Sequence, residues 1–153
     1  MSLPLSRLNR IRAALAVPAL FLGSPEAGAQ CSLDAINLTF DNYDVFSTQD
    51  TLGTGYVYVT CDLGTSYTIA LSTGNSNTYT PRALVTSSGA VLTYNLTSSA
   101  SSTVAWDNGT NVYNSTGTGA RQAIPVYGRI AAGQTRALVG FYSDTITATL
   151  TTR

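Results

Sequence analysis

The chain has 153 residues, with eight Lys and Arg balancing eight Asp and Glu, no His, two Cys and only 10% charged residues. A near-neutral chain without a basic run offers no electrostatic footprint for nucleic acid or an anionic membrane. Its length suits one domain once a leader is removed.

In chain order, Arg7, Arg10 and Arg12 precede an apolar run from Ala13 to Leu22 that breaks at Gly23-Ser24-Pro25. Small residues at Ala27 and Ala29 complete the pattern of a signal peptide over residues 1–29, cleaved before Gln30, which leaves 30–153 as the exported domain. The apolar run is roughly half the ~20 residues that a spanning helix needs, and no later stretch is long and apolar enough, so the chain is not expected to span a membrane. Cys31 and Cys61 both fall in the exported part. An oxidising compartment lets such a pair persist as a disulfide, which is the expectation here, two free buried thiols being the alternative.

After the leader there is no helical periodicity. Period-two alternation with β-branched and aromatic residues recurs instead, predicting strands at Leu38–Phe40, Gly55–Cys61, Ser66–Leu71, Val91–Leu96, Ala123–Ile130 and Phe141–Leu150. Asp62-Leu63-Gly64-Thr65 reads as a short hairpin connection. Pro125 cannot donate to a ladder, so its strand should be an edge or bulged there. Polar, Gly-rich loops separate the strands, and six or seven short strands at this spacing predict a single all-β sandwich. Only three residues follow Leu150, so nothing is expected to cover the edge that the last strand makes.

Without His or Lys, with Glu26 only in the leader, and with both cysteines bridged, catalysis would rest on Asp, Tyr or Ser alone. No enzyme, cofactor or metal site is therefore expected. Asp41 and Asp44 read as a polar turn, since the spacing and ligand count of a calcium loop are missing. Tyr56, Tyr58 and Tyr67 are expected in the core or in cross-strand pairs. Trp106 stands in a polar loop beside Asn108-Gly109 and is the candidate for contact with a surface or ligand.

Several segments occur together in order: Cys31, Phe40-Asp41-Asn42-Tyr43-Asp44, Gly55 to Cys61, Tyr67 to Ser72, Leu92 to Leu96, Trp106-Asp107-Asn108-Gly109, Tyr127-Gly128-Arg129-Ile130 and Gly140 to Ile146. Over Cys31 to Leu150 the chain resembles the spore coat protein U domain family, subunits of archaic chaperone-usher pili. The resemblance implies an incomplete immunoglobulin-like β-sandwich lacking its final strand. Its implied partners are a periplasmic pilus chaperone, an outer-membrane usher and other pilus subunits, and its implied route runs through the periplasm to a cell-surface fibre active in adhesion and biofilm.

A strand lent by another chain would then cover the open edge. Ile146, Ala148 and Leu150 alternate with threonines and are expected to form one wall of the donor-strand groove, with Leu38 and Phe40 as the other; ordinary core is the alternative for all five. Fibre-forming members carry a donor segment before the first cysteine, whereas cleavage here leaves only Gln30. That departure implies a subunit that accepts a strand without lending one, as at the tip of a fibre. The function expected is a structural or adhesive subunit of a surface fibre or spore coat, against a free-standing secreted module that binds carbohydrate or a surface.

Overall fold

The computed structural model describes residue 28, residues 30–35 and residues 37–153. Apart from Gly28, the expected signal peptide lies outside the described residues. The longest element is β2 (Thr51–Cys61), in which Gly55, Val57, Val59 and Cys61 point inward and Thr54, Tyr56 and Thr60 point out. This is the period-two pattern of a strand with one buried face. It pairs along its length with β7 (Arg121–Ile130), from Thr51 opposite Ile130 to Thr60 opposite Arg121. On its other side lies β1 (Cys31–Ala35). β5 (Val91–Thr97) and β4 (Arg82–Val85) extend the sheet beyond β7, giving the order β1-β2-β7-β5-β4. The second sheet has the order β6-β3-β8, built from β6 (Tyr113–Thr116), β3 (Ser66–Leu71) and β8 (Ala148–Thr152). All pairings are antiparallel. Val59, Ile69, Leu92, Leu96, Ile124 and Ile130 fill the space between the sheets and are almost wholly buried.

Residues 62–65 correct one expectation. They do not close a hairpin within one sheet, because β2 and β3 belong to different sheets. Thr65 N–H donates to the Asp62 carbonyl and Gly64 takes φ +84°, so a tight turn carries the chain over the sandwich edge. Alternation on both sides of a turn looks the same whether the strands pair or face each other across a core. Leu38–Phe40 is likewise not a full strand, since only Phe40 bridges to Gly53. The first strand is β1, whose register places Cys31 directly opposite Cys61, and the two sulfurs are bonded. Tyr67 is core, Tyr56 is exposed, and Tyr58 packs under the Arg121 guanidinium at 3.8 Å. Pro125 meets its expectation: β5 pairs with β7 only over Tyr127 to Arg129, so β7 is locally an edge at the proline.

Candidate functional site

Between the sheets, along one side, runs a cleft of about 980 Å³. One wall is segment 37–45 and the other is segment 137–146, with Leu71, Leu84, Tyr94, Leu96, Val126 and Ile130 along the floor. The first wall is seated on glycines. Gly53 and Gly128 are cross-strand partners. A Cβ on Gly128 would lie 2.5 Å from Phe40 Cζ and 3.0 Å from Leu38 Cδ2. Absence of side chains there lets Leu38 and Phe40 sink onto the sheet, and Phe40 reaches the floor, edge-on to Tyr94 with ring centroids 5.9 Å apart.

The second wall is extended, and exposure alternates residue by residue from Phe141 to Leu150. Its hydrogen bonds show which way it faces. Ser143 exchanges both backbone bonds with Val85, Thr147 accepts from Ser72 N–H while its own N–H meets the Ser72 hydroxyl, and Arg153 N–H donates to the Ser66 carbonyl. In an extended chain, successive residues direct their backbone groups to opposite edges. The odd-numbered residues thus face the body of the protein, and Tyr142, Asp144, Ile146 and Ala148 turn their N–H and C=O groups to the open edge. The same four side chains are half-buried and line the cleft. At the mouth, Leu138, Val139 and Phe141 stand exposed on a loop closed by the Tyr142 hydroxyl, which accepts from Leu138 N–H and donates to its carbonyl.

A hydrogen-bonded pair, Tyr94 and Asp144, lies across the cleft lining. Tyr94 Oη donates to Asp144 Oδ2 at 2.8 Å, and Asp144 Oδ1 accepts from Asn75 N–H at 2.9 Å and its neighbour Thr145 N–H at 2.7 Å. Burial first, then the bond to Asp144, raises the Tyr94 pKa well above its ordinary range, so the hydroxyl stays a donor. Beneath it lies Arg82, wholly buried, with Nε donating to the Ser72 carbonyl at 3.0 Å and one guanidinium nitrogen to the Trp106 carbonyl at 2.6 Å.

Of the five residues expected to form the groove walls, Leu38, Phe40, Ile146 and Ala148 line the cleft. Leu150 is partly buried against the core and falls outside the lining. Tyr142 and Asp144 share the parity of Ile146, so extending that alternation backwards through segment 141–150 finds them. A charged residue at an inward position is what hid Asp144.

Trp106 overturns its expectation: it is 1% exposed, not a surface contact. Its indole N–H donates to the Ile69 carbonyl at 2.8 Å and its ring packs 5.6 Å from Tyr113. The following Asp107 accepts the amides of Gly109 and Asn111, turning the polar loop so that the indole is tucked inward. Burial alone would raise the Asp107 carboxyl, and those bonds outweigh it, leaving the pKa below its ordinary value. Polar flanks therefore describe the backbone of the turn and not the side chain before it.

Among the described residues, no group of three or more His, Cys, Asp or Glu is placed to hold a metal ion, and no helix is long and apolar enough to cross a membrane.

Among the described residues, two packed sheets with an open edge beside the cleft make an incomplete immunoglobulin-like β-sandwich that lacks its final strand. The Spore Coat Protein U domain model matches residues 17–149, and the chain belongs to that family. The match begins within the segment expected to be the signal peptide. Among solved structures, the fold is similar to a chain of the chaperone-tip adhesion subunit pre-assembly complex from archaic chaperone-usher Csu pili of Acinetobacter baumannii, with a TM-score of 0.60 at 20% identity. That similarity covers 80% of this chain and 39% of the other. No curated protein sequence matches.

Proposed function

We propose that this protein is a subunit of a chaperone-usher surface fibre, and that a strand lent by another chain fills the cleft and completes the sandwich. One observation carries this: among the described residues, no partner meets the backbone groups of the even-numbered residues from Tyr142 to Ala148, whose side chains turn inward along the same edge. An uncovered edge beside an open core is prone to aggregation, and a bound strand satisfies both its hydrogen bonds and its apolar surface. Family membership and the fold shared with a pilus assembly complex support the same conclusion. In transit the strand would come from a periplasmic chaperone, and after passage through an outer-membrane usher it would come from a neighbouring subunit. Cleavage before Gln30 would leave no segment to lend onward, which favours the end of a fibre. A free-standing carbohydrate-binding module has lost its anchor, because Trp106 is buried.

Coexpression with a pilus chaperone in a bacterial periplasm is expected to give a one-to-one complex. Ile146→Asp is expected to abolish the complex by placing an unpaired charge in the cleft. A chain that stays monomeric and soluble alone, and binds no chaperone, would contradict the proposal.

A further inference from the structure

Of the side chains that the open wall turns inward, Tyr142, Asp144, Ile146 and Ala148, only Asp144 carries charge. Its carboxylate is held in place by three donors: Tyr94 Oη, Asn75 N–H and Thr145 N–H. Gly74, beside Asn75, has φ +64°, and its missing Cβ makes room for that carboxylate. A carboxylate offers about four acceptor sites, so one remains. Floor residues to either side, Leu71 and Leu84, are apolar. Along the open wall, an incoming strand thus meets a single charged inward side chain.

Resting on the donor-strand reading above, we propose that the Tyr94–Asp144 pair sets the register of the incoming strand. It does so by selecting a Ser or Thr hydroxyl at the inward position that comes to lie beside Asp144. A hydroxyl there donates to the free acceptor site. A Val or Leu would instead strip water from a carboxylate oxygen and return nothing, which weakens binding about tenfold or more. Strand pairing by backbone bonds alone repeats every two residues, so sliding by two costs little without such a mark. Tyr94 is positioned for this role by Phe40, which packs against its ring and leaves its hydroxyl to aim the carboxylate.

The test uses synthetic peptides of about fifteen residues that alternate Val and Thr, with one inward Val replaced by Ser at successive positions, a spin label at the amino end, and broadening of protein NMR signals as the readout. Moving the Ser by one inward position is expected to slide the bound peptide and shift the label by about 7 Å, two residues of strand. Asp144→Leu is expected to abolish the shift while binding persists. Should that variant not fold, Tyr94→Phe decides: it removes the hydroxyl that aims the carboxylate, and the preference for Ser should weaken. A label that stays put in the wild type, one that moves equally in Asp144→Leu, or a preference for Ser that Tyr94→Phe leaves unchanged or strengthens overturns the register role. Failure of every peptide to bind overturns the donor-strand reading itself.

Discussion

Replacing Gly128 with Ala tests how the first wall of the cleft is held. Gly128 does not occupy the left-handed region, so the effect is steric and not conformational. The new methyl carbon would sit 2.5 and 2.7 Å from two Phe40 ring carbons and 3.0 Å from Leu38 Cδ2. Ordinary carbon contacts lie near 3.5 to 4.0 Å, so the ring must lift by about 1 Å. Overpacking of this kind costs about 1–3 kcal/mol, and weakening the edge contact between Phe40 and Tyr94 adds roughly 0.5–1 kcal/mol. At about 4 °C per kcal/mol for a domain of this size, Tm should fall by roughly 6–16 °C, with a matching drop in the urea midpoint. In a Phe40→Ala background the clash with the ring is gone, so Gly128→Ala should cost at least about 1 kcal/mol less than it does alone. Gly109→Ala, whose Cβ would meet nothing closer than 3.8 Å, should leave Tm nearly unchanged. An unaffected Gly128→Ala, or strictly additive losses in the double variant, would refute the seating of Phe40 on glycine.

Opening the Cys31–Cys61 bridge by Cys→Ser substitution at both positions releases a loop with a sequence separation of 30. It should lower unfolding free energy by about 3–4 kcal/mol in chemical denaturation. Asp50 accepts the Ala132 amide and is paired with Arg129, which together hold its pKa below the ordinary carboxylate value. A depressed folded pKa contributes stability above the unfolded pKa and loses it as pH falls through the folded one. Thermal unfolding followed from neutral pH into the acid range should therefore show a loss that Asp50→Asn reduces. The single tryptophan is Trp106; its buried indole should emit at short wavelength and resist quenching by iodide until the chain unfolds, and ready quenching in the folded protein would contradict its position.

Where the sequence is legible, the reason is local. Alternation in Gly55–Cys61 and Ser66–Leu71 finds two strands, and a lone cysteine pair finds the bridge that β1 and β2 place in register. Alternation in segment 141–150 finds the right inward parity at Ile146 and Ala148, although β8 begins only at Ala148, because residues 141–147 are held by scattered bonds, the isolated bridge of Ser143 to Val85 and the bonds of Thr147 with Ser72, and not by a continuous ladder. β4 and β6 escape because each has only four residues, too few to show a period. Whether residues 62–65 join paired strands or facing sheets depends on contacts far away in sequence, and so does the burial of Trp106 under β3 and β5. The glycine seat is also non-local, since Gly53, Gly55 and Gly128 acquire meaning only when Leu38 and Phe40 are laid across them.

Amide hydrogen exchange, read residue by residue on the free chain and on the chain bound to an alternating Val and Thr peptide, tests most directly whether the open edge accepts a strand. Ser143 and Thr147 should exchange slowly in both states, because their backbone N–H groups are already bonded. Tyr142, Asp144, Ile146 and Ala148 should exchange quickly in the free chain and slow by about tenfold or more on binding. Protection that appears along β6 or β1, or on the odd-numbered residues of segment 141–148, would contradict a strand-accepting cleft.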